Sequence, residues 1–220
     1  MGFTEIIVLI LELIGTIAFA FSGATLAMKR RMDIFGVVVL GASTAVGGGV
    51  IRDIILGITP PAMFLNPVYV GTAAVTSLAL FALVYYRINV WDSRYMLFPV
   101  KVINAFDSIG LGVFTVTGIN TAINAGYRDN KFLMVFVGTL TGIGGGILRD
   151  LLAGVMPTVL QKKIYAIASI TGGIVYTILQ KYINGTAAML TGAAVIIVIR
   201  MLATKYRWNL PVATFPPENQ

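Results

Sequence analysis

The sequence predicts an all-α polytopic membrane protein, with about seven transmembrane helices as two inverted three-helix repeats plus a seventh helix. Three observations carry this. Of 220 residues, 57% are hydrophobic and 11% are charged, more apolar surface than a soluble domain can hide. Apolar runs of roughly 20 residues, enough to cross a hydrocarbon core, recur along nearly the whole chain. And one unusual stretch occurs twice: Gly41 to Pro60 reads GASTAVGGGVIRDIILGITP, and Gly138 to Pro157 reads GTLTGIGGGILRDLLAGVMP.

Helix is the expected form of every span, because backbone groups exposed to lipid have no water to satisfy them. The first span covers about 4–27. Ala18-Phe19-Ala20 resembles a cleavage site, but Glu5 and Glu12 precede it and Lys29-Arg30-Arg31 follow. A cleaved signal has the opposite layout, so this span is expected to be retained. The second, about 34–57, carries the first glycine triplet and Arg52-Asp53. The third covers about 66–86, and the fourth, about 100–124, carries Asp107. The fifth, about 132–154, repeats the triplet and ends in Arg149-Asp150. The sixth and seventh cover about 163–182 and 185–203. Together they form one transmembrane domain over 1–204, with repeat one at about 4–86 and repeat two at about 100–182. A short cytoplasmic tail, 205–220, contains Pro211, Pro216 and Pro217 and is expected to be poorly ordered.

The loops sort by charge. Lys29, Arg30 and Arg31, then Arg87, Arg94 and Lys101, then Lys162 and Lys163, and finally Arg200, Lys205 and Arg207 mark one side. On the other side the basic residues are Arg128, Lys131 and Lys181. The positive-inside rule places the N-terminus outside and the C-terminus in the cytoplasm, an orientation that an odd number of spans satisfies. The net charge of +7 is explained by these loops, so no nucleic-acid partner is expected. The chain has no cysteine and no histidine. That removes disulfides, thiol nucleophiles, the usual zinc ligands and histidine acid/base chemistry. With no evident nucleophile–base set, the chain is not read as an enzyme, and no cofactor is expected.

The repeat extends beyond the glycines. Glu12-Leu-Ile-Gly15 aligns with Asp107-Ser-Ile-Gly110, and Phe19, Ser22 and Gly23 with Phe114, Thr117 and Gly118. Spans two and five align through Thr44/Thr141, the triplets, Arg52/Arg149, Asp53/Asp150, Gly57/Gly154 and Pro60/Pro157. Spans three and six match weakly around Tyr69 and Tyr165. Three spans per unit reverse the second unit in the membrane, giving a pseudo-two-fold axis in the membrane plane. Such folds place their permeation or binding site near the midplane, where the repeats meet.

Two readings stand for Gly47-Gly48-Gly49 and Gly144-Gly145-Gly146. Three glycines in a row are expected to bend or unwind a helix, freeing carbonyls that suit a dehydrating cation. Alternatively, small residues let helices pack closely, the reading preferred for scattered glycines such as Gly15 and Gly172. Gly142-x-Gly144-x-Gly146 lacks the strand of a dinucleotide motif and is set aside. Adjacent helical residues do not face each other, so inverted symmetry suggests crossed pairs, Arg52 with Asp150 and Arg149 with Asp53. A structural ion-pair lock or snorkelling to the interface are the other readings. Glu12 and Asp107 form a second symmetric pair of acids, either attracting cations or serving structure. Ser22, Thr115 and Thr117 are polar neighbours, and Lys101 lies one turn before Asp107.

The duplicated GGGVIRD and GGGILRD motifs, Ser22-Gly23 with Thr117-Gly118, and the three-plus-three-plus-one layout resemble the TRIC family, the trimeric intracellular cation channels. The likeness is to its prokaryotic branch, also labelled a bacterial glycine transporter family, and runs from about Glu5 to Thr204. It implies a homotrimer in the prokaryotic plasma membrane, each subunit holding an hourglass pore for K+ and, less selectively, Na+. No metal is implied beyond these transient ions, and membrane lipid is the other partner. Kinked second and fifth helices would line the pore, which carries over to Gly47, Gly48, Gly49, Arg52, Gly144, Gly145, Gly146 and Arg149, with Asp53 and Asp150 as partners. Animal members carry a Lys-containing motif and are associated with phosphoinositide; Ile51-Arg52-Asp53 stands here instead, so that lipid site is not carried over. The expected function is a passive monovalent-cation channel. The alternative is a carrier for a small neutral amino acid such as glycine.

Overall fold

The computed structural model describes residues 2–90, 100–161 and 164–208. Arg94, Lys162, Lys163, the side chain of Arg87 and the tail prolines lie outside the described residues. Nine helices and no strand occur among the described residues: α1 (Phe3–Lys29), α2 (Ile34–Ile55), α3 (Ala62–Leu65), α4 (Val68–Val90), α5 (Val100–Asn124), α6 (Lys131–Leu152), α7 (Thr158–Gln161), α8 (Tyr165–Leu179) and α9 (Gly185–Lys205). Six are long and apolar enough to cross a membrane, and α8 is a shorter apolar helix. The expected sixth span is α8, and α7 lies in the connection before it, so each repeat has three long or medium helices and one four-residue helix.

Local chemistry repeats with the sequence. Asp33 caps α2 by accepting from the Gly36 N–H at 2.7 Å, and Asn130 caps α6 by accepting from Leu133 N–H at 3.0 Å. Both helices end in a left-handed glycine, Gly57 at φ 71° and Gly154 at φ 64°. Ile58 N–H then bonds Asp53 C=O at 2.8 Å, and Val155 N–H bonds Asp150 C=O at 2.9 Å, satisfying carbonyls that the helix end would orphan.

The centre consists of α1, α2, α5 and α6. Within each repeat, α1 packs on α2 and α4, and α5 packs on α6 and α8; between repeats, α1 meets α5 and α2 meets α6. Symmetry-related residues touch: the Phe19 and Phe114 rings lie 5.2 Å apart, and Gly48 meets the Gly144–Gly145 segment. The pseudo-two-fold axis therefore passes between them. The seventh span, α9, packs on α8 and α5. Many outward side chains are large and apolar, including Ile6, Ile10, Ile14 and Ile17 along α1, as expected of a face turned to lipid or to another subunit.

One expectation is corrected. Helix runs without interruption through both glycine triplets, so no carbonyl is freed by unwinding. The middle glycines instead act in packing. A Cβ on Gly48 would lie on the Thr141 carbonyl oxygen, and one on Gly145 on the Thr44 carbonyl oxygen. Backbone oxygens cannot swing aside, so only glycine lets α2 and α6 approach this closely.

Candidate functional site

Each arginine of the duplicated motif turns back toward its own aspartate. Arg52 Nε donates to Asp53 Oδ1 at 2.8 Å, and Arg149 Nε donates to Asp150 Oδ1 at 2.8 Å. The crossed pairs expected from inverted symmetry are not formed. Local pairing wins because the second carboxylate oxygen is already committed: Asp53 Oδ2 accepts from Ala62 N–H at 2.9 Å, and Asp150 Oδ2 from Thr158 N–H at 2.6 Å. Those donors start α3 and α7, so each aspartate ties the returning chain to its helix end and cannot cross the axis. The long arginine side chain curls back so that its Nε meets the free oxygen. All four residues are between 2% and 8% exposed. Gly49 and Gly146, one turn earlier, leave room for the guanidinium groups; a Cβ there would stand 3.7 Å from Arg52 Nη2 and Arg149 Nη2 respectively.

Two cavities lie on either side of the Gly48–Gly145 crossing. The first, of about 210 Å³, is lined by Glu12, Thr16, Gly49, Arg52, Asp53, Tyr69 and Phe114 among others. The second, of about 580 Å³, is lined by Ser22, Leu26, Arg30, Asn104, Asp107, Arg149, Asp150 and Thr158 among others. Along α1 the first cavity takes Glu12 and Thr16 and the second takes Ser22 to Arg30; along α5 the order reverses. They therefore lie toward opposite ends of the bundle, related by the same axis as the repeats. Between them stand the glycine crossing and the Phe19–Phe114 pair.

The two ends differ in wiring. In the first, Glu12 accepts a hydrogen bond from the Tyr69 hydroxyl, and Arg52 has its ion pair with Asp53. In the second, Arg149 Nη1 donates to Asp107 Oδ1 at 2.7 Å and to Ser22 Oγ at 2.6 Å, besides its bond to Asp150. Asp107 also meets Arg200 of α9, Nη2 to Oδ2 at 3.5 Å, and the Arg200 guanidinium stacks 4.4 Å over the Tyr165 ring. Lys101 does not neutralise Asp107; it is exposed, and Asp107 already holds two arginines.

Of the residues singled out from the sequence, the structure places Gly49, Arg52, Asp53 and Glu12 in the first cavity and Arg149, Asp150, Asp107 and Ser22 in the second. Gly48, Gly144 and Gly145 form the crossing, Gly47 packs on the Leu148 side chain, and Gly146 faces Tyr165 and Arg149. Thr115 is a tie between helices, its hydroxyl 2.6 Å from Ser169 Oγ, and Thr117 is buried without lining either cavity. Sequence reasoning missed Arg200, assigned to the loop charges. Its position inside the run Ala193–Ala203, five residues before Lys205, was the available signal. It also gave no site role to Tyr69, Tyr165 or Phe114, although each stood in the repeat alignment.

This fold and paired-cavity site define an integral, multi-pass membrane protein built from two inverted repeats. A sequence profile of the family described as "Glycine transporter" matches residues 9–85 and 104–181, one stretch in each repeat. The "UPF0126 inner membrane protein YadS" of Escherichia coli is 41% identical over 208 residues, covering 93% of this chain and 94% of the relative. Among solved structures, one described as concerned with conductance through TRIC cation channels is 36% identical with a TM-score of 0.80, covering 94% of this chain and 97% of that one. Another, the TRIC trimeric intracellular cation channel orthologue from Rhodobacter sphaeroides, is 32% identical with a TM-score of 0.80, covering 91% and 98%. The chain belongs to this family, the prokaryotic TRIC family. These relatives are channels and membrane proteins, and the chain is not an enzyme.

Proposed function

We propose that the protein is a passive monovalent-cation channel for K+ and Na+, with a pore inside each subunit. The path runs from the first cavity, through the α2–α6 crossing, to the second. The observation that carries the reading is the pair of symmetry-related polar cavities at opposite ends of one four-helix centre, on either side of a glycine crossing and a phenylalanine pair. Solved relatives described as cation channels support it.

An arginine beside a cation path is repulsive when alone. Here each has a carboxylate within 2.8 Å, so the guanidinium narrows the path without presenting an uncompensated charge. The seam is closed by apolar rings and backbone, a barrier that excludes water and ions until α2 and α6 separate. Gly47, Gly48, Gly49, Arg52, Asp53, Gly144, Gly145, Gly146, Arg149 and Asp150 form or flank this path. Three such subunits assemble as a homotrimer in the lipid of a prokaryotic plasma membrane, N-terminus outside and C-terminus in the cytoplasm. Voltage biases the opening, at about 2.3 kcal/mol per charge moved through 100 mV.

A second reading has its own support. Glu12 and Arg52 line the same cavity of about 210 Å³, offering an anion for an ammonium and a cation for a carboxylate. With the family description, this favours a small zwitterion such as glycine as cargo. Planar-bilayer recording of purified protein in a K+ gradient decides between the two. Discrete unitary currents are expected; saturable glycine uptake into liposomes without such currents overturns the channel.

A further inference from the structure

The seventh helix breaks the symmetry of the path at one point. Each repeat supplies its own Arg–Asp pair and one further acid, Glu12 or Asp107. On the second side only, α9 adds a buried arginine: Arg200, 3% exposed, reaches Asp107 at 3.5 Å and rests on the Tyr165 ring. Among the described residues no helix covers the first repeat in the corresponding way, and Glu12 is met by the uncharged Tyr69 hydroxyl. The formal charges therefore differ. Glu12, Asp53 and Arg52 leave the first cavity one negative charge, whereas Asp107 and Asp150 are fully balanced by Arg149 and Arg200. Exposed Arg30, lining the second cavity, widens the gap.

We infer that Arg200 is a positioning residue that makes conduction rectify. By holding Asp107 it cancels that acid's negative charge at the second cavity, so cations concentrate in the first and enter more readily from that end. Arg200 is not among the residues lining the cavity and acts through Asp107. One unit charge about 8 Å from an ion in water changes the local cation concentration about twofold. That sets the size of the expected rectification ratio.

The inference rests on the channel reading, and single-channel recording in symmetrical KCl tests the two separately. Absence of unitary currents from the native protein defeats the channel reading. Currents that do not rectify defeat this inference alone. In the native protein, currents at equal and opposite voltages are expected to differ about twofold or more. Arg200→Gln is expected to bring that ratio down about twofold, Arg200→Lys to keep it, and Glu12→Gln to lower it from the other side. A ratio unmoved by Arg200→Gln overturns the role, because loss of packing alone has no reason to change the current in one direction only. Should Arg200→Gln not fold, Asp107→Asn decides: it must raise the ratio, and adding Arg200→Gln must bring it back. An Asp107→Asn ratio equal to the native one overturns the inference as well.

Discussion

Replacing the glycines of one triplet singly separates their two possible roles. If a triplet exists to break its helix, alanine at any of the three should stiffen it alike. The structure predicts unlike outcomes at neighbouring positions. At Gly49, an added methyl meets nothing closer than Arg52 Nη2 at 3.7 Å, ordinary contact. Gly49→Ala should therefore show the helix-propensity gain of about 1 kcal/mol. At Gly48, the methyl lands on the Thr141 carbonyl oxygen, with the Gly145 amide nitrogen 3.3 Å away. Neither neighbour has a rotamer to change, so α2 and α6 must move apart. Overpacking of this kind costs about 1–3 kcal/mol, and rigid neighbours place it at the upper end. Net of the propensity gain, Gly48→Ala should lose about 2 kcal/mol, a gap of about 3 kcal/mol between adjacent substitutions. At roughly 2–4 °C per kcal/mol for a chain of this size, the two variants should differ by about 6–12 °C in unfolding midpoint. Thermal unfolding of purified protein in detergent reads this directly, and Gly145→Ala should behave as Gly48→Ala does. Equal midpoints for the Gly48 and Gly49 variants would refute the packing argument.

Three further outcomes follow from the same geometry. Because each Arg–Asp pair is local, Arg52→Asp combined with Asp150→Arg should not restore the current lost in Arg52→Asp; recovery in bilayer recordings would reinstate the crossed pairs. Phe114→Ala removes a ring from the seam and should raise unitary conductance or open probability while costing about 3–5 kcal/mol in stability; an unchanged conductance would remove the phenylalanines from the barrier. The chain has no cysteine, so single variants Thr16→Cys and Leu26→Cys each carry one thiol. A membrane-impermeant thiol reagent added to oriented vesicles should label one from outside and the other only from inside, and same-side labelling would exclude cavities at opposite ends.

The spans were legible because apolar length is a one-dimensional property. The α5 start and end, and the other span boundaries to within a few residues, could be read directly, whereas the four-residue helices α3 and α7 in the connections could not. The repeat was legible because the same local tasks recur: Gly57 and Gly154 are needed for left-handed turns, and Asp53 and Asp150 for anchoring the chain that returns after them. The triplets misled because glycine is both a poor helix former and the smallest packing surface. Which property matters depends on what stands opposite, and Thr141 lies far from Gly48 in sequence. Pairing misled for a similar reason. Helical geometry says that adjacent residues diverge, but it does not say that an amide of the returning chain will hold one aspartate oxygen and leave the other within reach of a long arginine.

By itself the sequence determined the membrane class, the helical form and the inverted duplication, because hydropathy, helix-end chemistry and repetition are written along the chain. Only the tertiary structure decided what those residues do to one another. It closed the α2–α6 crossing on Gly48 and Gly145, paired each arginine with its neighbour, and brought Arg200 from the seventh helix to Asp107. The physical reason is that close approach and charge balance depend on three-dimensional distance, and the distances that matter here join residues as far as 127 positions apart.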